Sequence, residues 1–306
     1  MLAPVVLFVY NRPEHTKKTI EALSKNTLAK ETVLYIFSDG KKEEDNSDNV
    51  EKTRAYIKSG KDLSVFKKVI ISESQTNKGL AKSIIIGVTQ VLNEYQKAIV
   101  MEDDLISHPK FLSFMNAALN EYERSDDIWS ISGYTIPIKI PEDYQKDIFI
   151  TPRGSSWGWG TWKNEWDLVD WQVKDYAEFK HDRAKRHKFN RGGRDLTYLL
   201  DDQMNGKVDS WAIRWYYAQF VHNKYTIYPV NSFIKNIGLD GTGTHSGKNR
   251  KYRVEFSEST EQFNDMKFNL EYPEFDEKIL KRFRKYYLSY KGFIYRKIKH
   301  LIGNNN

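Results

Sequence analysis

The residues of this chain best suited to chemistry are three consecutive acids, Glu102-Asp103-Asp104, which follow the apolar run Ile99-Val100-Met101 and precede Leu105. Such an apolar run reads as a buried strand, so the acids are expected at its carboxyl end. Ligands of open α/β sheets bind outside that edge. Packing carboxylates together is costly unless something positive lies between them. A hard divalent cation, Mg2+ or Mn2+, takes oxygen ligands and shares them with substrate phosphates. A solvated acidic turn would show the same three letters, so the neighbouring segments have to decide between the two.

Two further strands end in polar tips. Val5 to Tyr10 closes in Tyr10-Asn11-Arg12, and Thr32 to Phe37 closes in Ser38-Asp39-Gly40. Lys78, in Asn77-Lys78-Gly79, precedes a long helix, and a helix N-terminus attracts anions through its free N–H groups. The run Arg153-Gly154-Ser155-Ser156-Trp157-Gly158-Trp159-Gly160-Thr161-Trp162 alternates indoles with small residues. In a strand, Trp157 and Trp159 would share one face, and Gly158 would permit close backbone approach. That suits either a shelf for a sugar ring or an aromatic mini-core. Asp209 stands near the start of a helix opened by Val208 to Trp215, as a proton acceptor or as a helix cap; Asp202 and Asp201 are the fallback acids. The loop Gly241-Thr242-Gly243-Thr244-His245-Ser246 could fold over a ligand, and His245 could join a metal. Arg12, Arg153 and Arg214 could each clamp a phosphate.

The elements that must position these residues alternate. Helical spacing over Thr16 to Ser24, Val50 to Ile57 and Leu80 to Glu94 separates strands at 5–10, 32–37, 66–72 and 97–101. This β-α-β-α-β-α-β order predicts an α/β fold with a mostly parallel, Rossmann-like central sheet flanked by helices. A helix over Pro109 to Glu123 and a strand over Ile128 to Gly133 follow, and beyond Pro152 the pattern turns irregular and aromatic. No Gly-x-Gly-x-x-Gly follows the first strand and no P-loop is present, so any nucleotide would be held by side chains and a metal. One continuous domain over 1–275 is expected, with a nucleotide-binding half at 1–104 and an acceptor-side half at 105–275. A basic segment at 276–306 completes the chain.

Composition agrees with this. The 306 residues are 40% hydrophobic and 14% aromatic, and there is no cysteine. That excludes a disulfide framework, a thiolate metal site and a cysteine nucleophile, and it suits a reducing cytosol. There is no apolar run of 18 residues and no signal-peptide pattern. The net charge of +7 is uneven, because nine Lys or Arg and no acid lie between Lys278 and Lys299. Leu280, Phe283, Tyr287, Tyr290, Ile294, Ile298 and Leu301 recur at helical spacing there. The segment reads either as a helix packed on the main domain or as a peripheral contact with an anionic membrane surface. Nucleic acid is set aside because the basic residues are confined to one tail.

The three ordered tips, together with the Trp-Gly-Trp run, resemble those of GT-A fold glycosyltransferases, near the family-2-like bacterial enzymes and N-acetylglucosaminyltransferase I. The resemblance spans roughly residues 4–245. It implies transfer of a sugar from a nucleotide diphosphate donor, UDP-linked by expectation, to a hydroxyl of a saccharide or lipid-linked saccharide. Mn2+ or Mg2+ would assist. The reaction would invert the anomeric centre, in surface polysaccharide synthesis at the cytoplasmic face of the membrane. By the same resemblance Asp39 meets the uracil or ribose, and Asn11, Arg12, Lys78, Glu102 and Asp103 line the nucleotide. Asp104 and His245 ligate the metal, and Asp209 is the general base. Trp157, Gly158, Trp159 and Arg214 form the sugar or acceptor shelf. A serine, Ser210, stands where a second acid often lies, which leaves the register of the base open by one residue. A nucleotidyltransferase of similar fold and a non-catalytic carbohydrate-binding protein are the alternatives.

Overall fold

The computed structural model describes residues 1–240, 251–256 and 268–287. Strands β1 (Val5–Val9), β2 (Val33–Ser38), β3 (Lys68–Glu73) and β4 (Lys97–Glu102) are parallel, in the spatial order β3-β2-β1-β4. Helices α1 (Pro13–Ser24), α2 (Asn49–Ser59) and α3 (Leu80–Tyr95) join them. Pro13 opens α1, where its missing N–H leaves no bond unmade. All five residues of β1 are buried, as a central strand covered on both faces requires. Its side chains alternate between two cores: Val5, Leu7 and Val9 face one, Val6 and Phe8 the other.

After β5 (Leu105–Ser107), α4 (Phe111–Glu121), β6 (Ile128–Ser132) and β7 (Ile148–Thr151), strand β8 (Trp159–Trp162) inserts between β4 and β6, antiparallel to both. Five helices follow: α5 (Lys163–Trp166), α6 (Tyr176–His181), α7 (Arg183–Phe189), α8 (Leu196–Met204) and α9 (Trp211–Val221). Strand β9 (Tyr225–Pro229) pairs parallel with β6 and antiparallel with β7, which completes an eight-stranded sheet in the order β3-β2-β1-β4-β8-β6-β9-β7. Four of its seven pairings are parallel. Strand β10 (Ile234–Asn236) pairs with β5 and so returns the chain to the residues just past the acid cluster.

Helix α10 (Glu277–Tyr287) packs Ile279 and Phe283 into the core shared with α1 and α4, and Leu280 is buried as well. Burying a side chain the size of Phe283 contributes about 2–3 kcal/mol. Of the two readings offered for this segment, the described part of the stripe follows the first, packing on the protein's own core. The stripe residues from Tyr290 onward lie outside the described residues. Among the described residues no helix is long and apolar enough to cross a membrane.

The shared face expected for Trp157 and Trp159 is not found. Strand β8 begins only at Trp159, and Gly158 sits at φ +60°. A Cβ on Gly158 would lie 2.6 Å from Ile234 Cγ1, so glycine is needed both for the turn and for the contact. The turn sends the two indoles apart. Trp159 is fully buried in the core under α3 and α9, stacked on Trp211 at 5.1 Å. Trp157 packs edge-on to Tyr134 at 4.6 Å against the opposite core.

Candidate active site

The parallel register sets Val9 beside Ser38 and Phe8 beside Glu102. The residues that follow each strand therefore leave the sheet at one edge, and they line a common cavity of about 910 Å3. Asn11, Arg12, Asp39, Glu102, Asp103 and Asp104 reach it because three parallel strands end together, and Lys78 reaches it from the loop that enters α3.

Within the acid cluster the three carboxylates are placed differently. Asp103 turns inward: its Oδ2 accepts from Tyr10 N at 3.3 Å, and its carbonyl accepts from Thr19 Oγ1 at 2.8 Å. Asp104 faces the cavity, and Arg12 Nη1 donates to its Oδ2 at 3.1 Å. Its carbonyl accepts from Ile237 N at 2.9 Å, which ties the segment after β10 over the cluster. Gly238 in that segment lies so near that a Cβ would fall 1.9 Å from Asp104 Oδ2. Burial, then the charges of Asp104 and Asp103, raise the Glu102 carboxyl well above its ordinary range, and Arg12 opposes this. Burial and the Asp104 charge push Asp103 up to about 7. Asp104 is also raised by burial, against Arg12 and His15. Burial is the leading cause in all three, and at Glu102 and Asp103 the neighbouring carboxylate charge adds to it.

A hard divalent cation fits this donor chemistry. Among the described residues no three His, Cys, Asp or Glu form a cage that could hold an ion by themselves. Asp104, the carboxylate that faces the cavity, could serve such an ion as one ligand. His245 lies outside the described residues.

Asp39 has a defined task. Its carboxylate accepts from the backbone N–H groups of Gly40 (2.8 Å), Lys78 (2.9 Å) and Gly79 (3.0 Å). Asp39 thus takes the N–H groups of Lys78 and Gly79 in the loop that enters α3, and the Lys78 side chain remains to offer charge. Arg54 donates to the carbonyls of Asp39 (3.0 Å) and Ser74 (2.7 Å). A Cβ on Gly40 would lie 2.3 Å from Thr76 C. The tip of β2 and the loop entering α3 form one stitched wall. Asn11 reaches Asp45 at 3.4 Å on its far side.

The opposite half of the cavity is aromatic. Trp157 and Tyr134 meet Tyr252 and Tyr287, and Tyr216 of α9 completes the wall. Behind them Arg153 is buried and bidentate to Asp195, at 2.8 and 3.0 Å. Burial works against the Arg153 charge, but the Asp195 carboxylate outweighs it and holds the guanidinium charged. Arg153 is therefore not free to clamp a phosphate. Neither Asp195 nor Tyr287 is foreseen as a cavity residue: their partner lies 42 and 134 positions away, and the helical spacing of Tyr287 points only to a packed stripe.

Asp209 lines the rim, its side chain 68% exposed, and Arg214 Nη2 donates to its Oδ1 at 3.2 Å. Ser210, not Asp209, caps α9, accepting from Ile213 N. Four expectations need correction. Arg214 is anchored to the carbonyls of Ser210 and Trp171 and does not line the cavity. Trp159 is core. Gly158 serves the turn rather than the lining. Asp201 is bound by Arg186 (2.9 and 2.6 Å) and Tyr176, and Asp202 faces Lys207 at 3.9 Å, so neither fallback acid reaches the cavity.

No protein-family model matches this chain, and no curated protein matches it. Solved structures with a partly similar shape include S. aureus TarS, at 11% identity and a TM-score of 0.43 over 76% of this chain and 36% of that one. A UDP-glucose pyrophosphorylase in complex with UDP-glucose is similar at 13% identity and 0.39, over 74% and 90% of the two chains. The mannosyltransferase PcManGT from Pyrobaculum calidifontis, in complex with GDP-Man and Mn2+, gives 12% and 0.32 over 47% and 37%. The chain spans little more than a third of TarS and of the mannosyltransferase. At such scores the likeness is partial.

Proposed function

We propose that the chain is a GT-A-type glycosyltransferase that takes a sugar from a nucleotide diphosphate donor, UDP-linked in our reading, to a hydroxyl acceptor. One observation carries this: three strand tips deliver an over-acidic cluster, Arg12 and Lys78 to one edge of a parallel sheet, with an aromatic wall across the same cavity. The acids call for a cation, the cation calls for phosphate, and the rings suit a sugar.

Each residue then has a task. Arg12 and Lys78 draw the diphosphate to the sheet edge. Asp103 fixes the backbone of the β1 tip through Tyr10 N. Asp104 would hold Mn2+ or Mg2+, which supplies charge neutralisation for a departing diphosphate. Asp209, exposed on the rim and oriented by Arg214, accepts the acceptor hydroxyl proton at its carboxylate. A single displacement from the face opposite the diphosphate inverts the anomeric centre.

Incubation with UDP- and GDP-sugars, with Mn2+ and with EDTA, tests this. One donor should be turned over with Mn2+ and spared in EDTA. Asp209→Asn should bind that nucleotide normally while losing ~10²–10⁴-fold in transfer. Absence of both turnover and nucleotide binding across the panel would rule the reading out.

A further inference from the structure

The aromatic half of the cavity is assembled from remote parts of the chain. Tyr134 follows β6, Trp157 precedes β8, Tyr216 belongs to α9, Tyr252 lies in the described segment 251–256, and Tyr287 ends α10. They form a connected series. Tyr134 and Trp157 are 4.6 Å apart, Trp157 and Tyr252 6.1 Å, and Tyr252 and Tyr287 6.4 Å, between ring centroids. Tyr287 then covers the Arg153 guanidinium, whose Cζ lies 3.6 Å from its ring centroid, and Tyr216 flanks the same cation at 5.6 Å.

The Arg153 charge is already balanced, and Lys251, 5.4 Å from the Tyr252 ring, donates to the Tyr286 carbonyl. Arg153 gives two hydrogen bonds to Asp195, and both side chains are largely buried. A phosphate or carboxylate arriving here would compete with Asp195 for a desolvated guanidinium, at a cost. A neutral ring with apolar C–H faces and hydroxyl edges has no such conflict. Its faces can rest on the rings, and its hydroxyls can meet the outer edge of a neutral, polar ion pair.

We propose that this half of the cavity is a subsite for a neutral pyranose ring, walled on one side by Tyr287 of helix α10, and that Tyr287 is the positioning residue that holds Arg153 beneath that ring. The inference rests on the glycosyltransferase reading only for the role of the ring as acceptor. The C-terminal helix then belongs to the site rather than merely supporting it.

The test uses the full chain and two separate readouts. Saturation-transfer NMR measures contact with methyl β-glycosides of glucose, galactose and N-acetylglucosamine, with methyl β-glucuronide as the anionic comparison. Calorimetry measures UDP and GDP binding with Mn2+. At least one neutral glycoside should bind the wild type, and no less tightly than the glucuronide. Tyr287→Ala should weaken that glycoside about two- to tenfold, as loss of an aromatic contact does. Tyr287→Phe, which keeps the ring over Arg153, should restore it. Tyr252→Ala provides a second variant of the same wall should Tyr287→Ala not fold. Nucleotide binding should be unchanged in every folded variant.

The inference is overturned if no neutral glycoside binds, if the glucuronide binds tighter, or if the wall variants bind like wild type. It is also overturned if they lose glycoside and nucleotide together, which would mark a purely structural role. Glycoside binding with the expected pattern, but no nucleotide binding by the wild type, would leave the subsite standing and remove the donor reading instead.

Discussion

Replacing Asp195 with asparagine should destabilise the protein far more than a one-atom change suggests. The Arg153 and Asp195 side chains are only 7% and 11% exposed, and they are joined by two hydrogen bonds. The turn before α8 is moulded to the pair: a Cβ on Gly193 would lie 2.5 Å from Arg153 Nη1. Asp195→Asn keeps the shape and removes the charge, so the guanidinium stays desolvated without its counter-ion. Breaking a buried pair in this way costs roughly 3–5 kcal/mol. Asparagine still offers one acceptor, and Tyr287 still covers the cation, so about 3 kcal/mol is expected. Unfolding entropy of about 2.1 cal/mol/K per residue gives roughly 0.6 kcal/mol/K for a chain of 306 residues, hence a fall in Tm of about 5 °C. Urea denaturation and calorimetry measure both quantities. The double variant Arg153→Met/Asp195→Leu should recover much of the loss, because apolar replacement of a buried pair is often close to neutral. A cost below about 0.5 kcal/mol for Asp195→Asn, or a double variant no better than the single one, would refute this account of the pair.

Two further outcomes separate site from scaffold. Trp159→Ala should cost about 3–5 kcal/mol by leaving a cavity in the core, while Trp157→Ala should cost clearly less and impair sugar binding; equal denaturation midpoints for the two would contradict their placement. Gly238→Ala puts a methyl 1.9 Å from Asp104 Oδ2, so either the Asp104 carboxylate or the segment after β10 must shift by more than 1 Å, a scale at which activity can fall ~10²-fold. Calorimetry showing nucleotide affinity and turnover within threefold of wild type would show that the segment yields freely.

The parallel half of the fold was legible because each strand is a short apolar run ended by a polar tip, and each helix carries its own 3.6-residue stripe. Both signals are local. The second half was not legible for a matching reason. Strand β8 owes its place in mid-sheet to pairing with residues some sixty positions earlier, and one glycine at φ +60° decides which way the two flanking indoles point. In the site, the acid cluster and Arg12 stood out by type and position. Lys78 stands out beside a helix start, but the stitching of its loop to Asp39 depends on a contact across 39 residues. The stripe on α10 was read correctly as apolar, and only the packing shows that it faces the protein's own core.

The cluster of indoles has an optical consequence. Trp129, Trp159, Trp166, Trp171, Trp211 and Trp215 form one chain of contacts with centroid separations of 4.5 to 5.9 Å. At such spacings excitation energy migrates among the rings before emission. The steady-state fluorescence of this protein will therefore report largely on indoles that do not line the cavity, and near-ultraviolet circular dichroism will carry the coupled transitions of stacked rings. Trp157 is the indole that lines the cavity. A ligand titration followed by total emission would be nearly silent even at saturation, whereas the difference spectrum between wild type and Trp157→Phe isolates the one chromophore placed to see a ligand.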